Sequence, residues 1–140
     1  MRKTVLVTIR GTRTSELGEQ ETIELITKAS LYKKKSSFYI VYSESEISGL
    51  AGTTTYLKAE PSRVTLKRMG TSELKQVFEE GIHHEANYVT PFGSMWVGVL
   101  PWKVEVDLTE VGGSINLEYE LELCHQKIGY NQLSITVQEV

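Results

Sequence analysis

A chain of 140 residues is the length of one domain, long enough to bury most of the surface its unfolded form exposes, so no second domain is expected. Its 15 Lys and Arg against 18 Asp and Glu leave a formal net charge of −3, which gives no field to gather nucleic acid or an anionic membrane, and neither is expected as a partner. The one cysteine, Cys124, excludes an intrachain disulfide and suits a reducing, cytoplasmic setting, while Asp107, the only Asp, excludes Asp-rich calcium loops and paired-Asp phosphoryl-transfer sites.

Met1-Arg2-Lys3 is basic, but Val5, Val7 and Ile9 then alternate with Thr4, Thr8 and Arg10, the period of a strand and not a signal-peptide core. No run approaches membrane-spanning length. Gly11 to Gln20 is polar and reads as a loop. Ile23, Leu25, Thr27, Ala29 and Leu31 alternate with Thr22, Glu24, Ile26, Lys28 and Ser30, which predicts a long strand ending in the basic turn Lys33-Lys34-Lys35-Ser36. Phe38, Ile40 and Tyr42 mark a third strand, Ser48-Gly49-Leu50-Ala51-Gly52 a flexible connection, and β-branched Thr53 to Ala59 a fourth strand. After the turn Pro61-Ser62, Arg63 to Met69 alternates again, and parity places Arg68 on the apolar face of Val64 and Leu66.

Residues 73 to 82 are ambiguous. Leu74, Val77, Phe78 and Ile82 sit at helical spacing behind Ser72, a good N-cap, so pattern alone predicts a helix. Strands resume with Ile82, His84, Ala86 and Tyr88 on one face. Pro91 then biases Thr90 to an extended conformation and Gly93 frees the next strand to begin. The aromatics about this corner, Tyr88, Phe92 and Trp96, are expected to gather, closing one end of a core or lining the mouth of a cavity. Met95 to Leu100 and Val104, Val106 and Leu108 follow, with Gly112-Gly113 as a hairpin turn. Ile115, Leu117, Tyr119, Leu121 and Leu123 then share one face against Asn116, Glu118, Glu120 and Glu122, a register that a one-residue slip would invert. Leu133, Ile135 and Val137 make the last strand. The fold class is therefore all-β, an antiparallel up-and-down β-barrel of about 8–10 strands, because such closely spaced turns join strands whose inner faces include polar residues such as Arg68 and Thr27.

Tyr32 and Lys34, the run Tyr39-Ile40-Val41-Tyr42-Ser43-Glu44, Gly49, Thr55, Lys58, the run Val64-Thr65-Leu66-Lys67-Arg68-Met69-Gly70, Gln76, Phe78, Gly81, Tyr88 and Gly93 form a spaced set across most of the chain. In these residues the sequence resembles the YwiB-like family, uncharacterised bacterial proteins with a lipocalin-like (calycin) β-barrel. The resemblance implies that residues 73 to 80 are a strand despite their spacing. It adds little about function, since fold does not imply function. Fatty-acid-binding proteins carry a helical lid after the first strand, and secreted lipocalins a terminal helix and disulfides. The stretch from Gly11 to Gln20 is too short for a helical pair and Cys124 is alone, so a lipid-carrier role by analogy has little support.

No catalytic motif accompanies the Ser, His and Glu residues, and no cofactor or metal is expected. His83 and His84 would point to opposite faces of a strand and could not chelate one ion. The same parity that turns Arg68 inward also turns in Glu44, after Phe38, Ile40 and Tyr42, and Gln76, between Leu74 and Phe78. An inward charge must be paired or meet a ligand or water. These residues predict a barrel binding a small amphipathic or anionic molecule in its lumen, with Arg68 as counter-charge, Glu44 as its ion-pair partner, Gln76 and Tyr88 as hydrogen-bond partners, and Phe78 and Trp96 as apolar walls. The alternative is a non-enzymatic interaction module that holds a protein partner or a second copy of the chain through exposed Tyr39 and Tyr56 or a strand edge.

Overall fold

The structure, a computed structural model, describes residues 2–45 and 50–140. Its strands are β1 (Arg2–Ser15), β2 (Gln20–Lys34), β3 (Ser37–Ser43), β4 (Thr53–Glu60), β5 (Arg63–Gly70), β6 (Leu74–Glu79), β7 (His84–Thr90), β8 (Gly93–Thr109), β9 (Gly112–Leu123) and β10 (Gln126–Glu139). Every pairing is antiparallel, and the order β6-β5-β4-β3-β2-β1-β10-β9-β8-β7 makes chain neighbours sheet neighbours except where β1 meets β10. The two remaining edges, β6 and β7, meet through the bridge Glu73↔Val89, in which each backbone N–H donates to the other's carbonyl at 2.8 and 2.9 Å. The result is a nearly closed up-and-down barrel, and no helix occurs among the described residues.

Alternation along β9 sets the inner face: Ile115, Leu117, Tyr119 and Leu121 are buried while the intervening residues are not. Register carries that face around the barrel. Val106, Ile115, Ile135, Ile9 and Leu25 lie side by side across β8, β9, β10, β1 and β2. On the other wall Leu31, Ile40, Leu57, Leu66 and Gln76 lie side by side across β2 to β6. Phe78 packs edge-on against Tyr119, ring centroids 4.9 Å apart, and joins the walls in one core.

β8 is one strand and not two, because the register steps between Pro101 and Lys103 and leaves Trp102 as the extra residue of a bulge. Pro101, which has no N–H for the ladder, belongs at such a place. The step shifts the inward set from Val97 and Val99 to Val104, Val106 and Leu108.

Four sequence-based expectations change. β6 is a strand, as the family resemblance implied, because Leu74, Gln76 and Phe78 share the buried face with period two and β6 pairs with β5; Ser72 caps no helix, and its N–H donates to Thr53 Oγ1 at 3.3 Å. Gly11 to Thr14 continue β1 paired on both sides, and Ser15 still pairs with Gly129, so the turn lies beyond Ser15. Gly112 and Gly113 lie within β9 and the turn falls before them: at Gly113 (φ 138°) a Cβ would lie 2.0 Å from the Asp107 carbonyl oxygen. The aromatic corner does not gather, since Phe92 at the turn tip is fully exposed and Trp96 lies outside. The connection read at Ser48-Gly49 lies outside the described residues.

The core account is checked by urea unfolding. Leu117→Ala, which truncates a side chain buried on all sides, is expected to cost about 2–5 kcal/mol. Glu120→Ala, which removes an outer ion pair to Lys127 at 3.0 Å, is expected to cost no more than about 1 kcal/mol. Equal losses would contradict the assigned facing.

Candidate functional site

Register brings Tyr42, Thr55, Arg68 and Leu74 into one row on the inner face, on β3, β4, β5 and β6. Arg68 enters this row because its own strand alternates from Val64 through Leu66. Its Nε is buried with no hydrogen-bond partner, and its guanidinium lies over the Tyr88 ring, 5.7 Å from the centroid. That cation–π contact stabilises the charge without occupying the Nε–H donor. Glu44 reaches the same row, but its Oε2 accepts from the Thr55 hydroxyl at 2.6 Å. Among the described residues Arg68 forms no salt bridge, so the expected Arg68–Glu44 ion pair is absent there, and Glu44 Oε2 is held by the Thr55 hydroxyl. The opposing charges are both felt at Tyr42, whose phenol is pushed well above its ordinary pKa, first by burial and then by Glu44, with Arg68 acting in the other direction.

Gln76 is buried, and its amide closes the barrel. Its Nε2 donates to the His84 carbonyl at 3.0 Å and approaches His84 Nδ1 at 3.1 Å, while the Val77 N–H donates to the same Nδ1 at 3.3 Å. Two side chains thus replace ladder bonds that β6 and β7 do not form. Nδ1 must accept, so the His84 proton sits on Nε2 and the ring is neutral. Burial, with His83 and Lys75 nearby, lowers the His84 pKa in keeping with that role. Gln76 Oε1 remains buried and unpartnered.

Tyr88 is half-buried on the inner face and Phe78 is a core residue. Trp96 is a correction: it is 48% exposed on the outer face, tilted against His125 at 6.3 Å, because Val97 and Val99 take the inward positions. Outside, His83 Nε2 meets Glu122 Oε1 at 2.9 Å and His125 Nδ1 meets Glu85 Oε2 at 2.7 Å. Gly98 lies between Glu85 and Glu122 on the adjacent strands, where a Cβ would sit 2.8 Å from Glu122 Oε1. Among the described residues no group of three or more His, Cys, Asp or Glu is placed to hold a metal ion.

Two inner-face residues were not singled out by pattern. Asn131, whose Nδ2 donates to the Tyr119 hydroxyl at 3.2 Å, leaves a buried Oδ1 unpartnered. Arg13 lies opposite Asn131 in the β1–β10 register and, with it and Glu21, lines a cleft of about 140 Å³. Burial pushes the Tyr119 phenol up, and the hydrogen bond from Asn131 and the charges of Arg68 and Arg13 act in the other direction. Reading Gly11 to Gln20 as a loop concealed the strand parity that turns Arg13 in.

Residues 7–135 match the profile of a family described as a domain of unknown function, DUF1934. An uncharacterised β-barrel protein of Bacillus subtilis (strain 168), YwiB, is 27% identical over 119 residues, covering 85% of this chain and 82% of its own. The crystal structure of that organism's ywiB protein superposes with a TM-score of 0.88 at 23% identity, covering 99% of this chain and 93% of its own, a likeness of fold.

The seam makes stability depend on pH. A folded-state pKa below the unfolded value near 6.5 means that the unfolded chain takes up the His84 proton first, so stability is full above about 6.5 and is lost as pH falls through that value toward the folded pKa. Urea unfolding from pH 7.5 to 5 should show this loss in the wild type and less of it in His84→Asn, which keeps an acceptor that cannot charge. Identical pH profiles would contradict the assignment.

Proposed function

We propose, from the premise that this chain belongs to the DUF1934 family, a domain of unknown function, that its barrel is a cytoplasmic binding protein for a small amphipathic or anionic molecule held against the inner face at Arg68. The observation that carries this reading is the buried, unpartnered Nε–H of Arg68 on the inner face, between Thr55 and Leu74 in the row. Leaving such a donor unsatisfied costs about 1–3 kcal/mol, and more for a charged group, which an anionic ligand would recover.

The roles around it follow from placement. Tyr88 holds the guanidinium by its ring and offers a hydroxyl to the ligand. Glu44, bound to Thr55, sets a negative boundary that favours a ligand with one acidic end. Leu66 and Val97, both half-buried on the inner face, supply apolar contact for the remainder. Gln76 supports the wall through the seam and presents only its Oε1. Phe78 is the floor, and Trp96 takes no part. Arg13, at the cleft beside Asn131, gives a second positive group. The reading assigns no reaction and requires no cofactor.

The interaction reading through Tyr39 and Tyr56 is weaker, because both are half-buried in the outer wall and Tyr39 stacks on Tyr32 with centroids 4.9 Å apart.

Native mass spectrometry of the protein purified gently from its host is expected to show a retained small-molecule mass. Binding of the anionic amphiphile 1-anilinonaphthalene-8-sulfonate is expected to be lost in Arg68→Met with the melting temperature held within a few degrees, since Met keeps the stem's apolar volume and removes a charge that is costly to bury. No retained mass together with dye binding that ignores Arg68 would overturn the proposal.

A further inference from the structure

The formal net charge of −3 averages two unlike walls. On the outer face, register sets Arg2, Tyr32, Tyr39 and Lys58 side by side across β1 to β4, and in the next row Tyr56, Lys67 and Lys75 across β4 to β6. No acid stands in either row; Glu60 and Glu79 flank Arg63 farther along the strands. Lys67 and Lys75 are directly opposite each other, which destabilises a strand pair. Among the described residues neither they nor Lys58 forms an ion pair or a side-chain hydrogen bond. The outer face of β7 to β9 is the reverse, and its acids are held by their own neighbours: Glu85 by His125 at 2.7 Å, Glu122 by His83 at 2.9 Å, Glu120 by Lys127 at 3.0 Å and Glu118 by Lys103 at 3.3 Å. The clustered lysines have no such partners, and an anionic partner would relieve their repulsion.

From this band we propose that the outer wall of β1 to β6 binds the phosphodiester backbone of a single-stranded nucleic acid. Each of β1, β4, β5 and β6 gives the band one cation. Strand spacings of about 4.8 Å carry it roughly 24 Å across the sheet, one cation wide, so it matches one backbone and not the two of a duplex. Tyr32 stacks on Tyr39 with centroids 4.9 Å apart and planes 7° apart, and the Arg2 guanidinium lies over the Tyr32 ring at 4.6 Å. Those ring faces are taken within the wall. What remains for a ligand is charge and hydroxyl groups, so contacts go to phosphate and carry no base preference. The acids of the other wall do not forbid this, because at 0.1 M salt charges beyond about 10 Å are largely screened. A second copy is less favoured as the occupant, since the acids it would offer are already paired. An anionic membrane is less favoured because neither row holds an exposed large apolar side chain to insert. The inference is independent of whether the lumen holds a ligand.

Fluorescence anisotropy of a fluorescein-labelled oligouridine of about 12 nucleotides is expected to show saturable binding that weakens with salt. With one phosphate contact each from Arg2, Lys58, Lys67 and Lys75, log K should fall against log salt with a slope of about −3, at about 0.7 per contact. Lys67→Gln and Lys75→Gln should each cut that slope by about 0.7 and together weaken binding about tenfold or more, while Lys103→Gln, on the other wall, leaves it unchanged. Each change at Lys67 or Lys75 removes a like-charge pair, so the melting temperature is expected to hold or rise, which separates a lost contact from a lost fold. No binding at about 100 μM protein in about 50 mM salt, the weak end of non-specific affinity, would overturn the proposal. Binding unchanged in the double variant, or equal affinity for a duplex of the same length, would also overturn it. So would sedimentation with phosphatidylserine vesicles in preference to the oligonucleotide, which would give the wall to a membrane.

Discussion

The barrel depends on how its two sheet edges are closed. Ten strands in order leave β6 and β7 facing each other, and in the interior every backbone N–H and carbonyl between them needs a partner. One bridge at Glu73 and Val89 supplies two bonds, and farther along the Gln76 amide and the His84 ring supply more. A dry apolar seam could not do this. Closure therefore requires polar side chains on the inner face, and a neutral imidazole among them.

The interior divides accordingly. Where Val5, Val7, Ile115, Leu117, Ile135 and Val137 meet Leu31, Ile40 and Leu57, both walls are apolar and closely packed, and most of the hydrophobic stabilisation lies there. Where Tyr42, Thr55, Arg68 and Tyr88 lie, the wall holds hydroxyls and a charge with capacity unused. The packed part fixes the strands, and its burial offsets the cost of leaving a donor unsatisfied in the polar part. The short β3 has a related effect outside, since its departure leaves β2 from Gln20 to Ala29 paired on one side only among the described residues.

Much of the architecture was legible because one face of each strand is strongly apolar. The alternation from Ile115 to Leu123 fixed its own register, and the parity of Val64 and Leu66 correctly turned Arg68 inward. Legibility failed where both faces look alike or where pairing overrides local pattern. Met95, Val97 and Val99 alternate with Trp96 and Leu100, all apolar, so parity could not show that Trp96 faces out. Leu74, Val77 and Phe78 fit a helix, and only the partner strand β5 selects the extended form. The bulge at Trp102 reverses facing within β8. Glu44 was expected to pair with Arg68, but its carboxylate accepts from Thr55 on another strand, and cross-strand neighbours cannot be read from a single chain's periodicity.

The proposed role rests on one proton, the Nε–H of Arg68, which is buried and without an acceptor. Its arginine side-chain resonance can be assigned from the signal lost in Arg68→Met and followed by NMR while decanoate, an anionic amphiphile, is added. The account predicts a saturable shift of that resonance downfield as the carboxylate accepts the bond, with the exposed Arg2 and Arg63 unmoved. An Arg68 resonance that stays in place, or that moves no more than those surface arginines do, would contradict it.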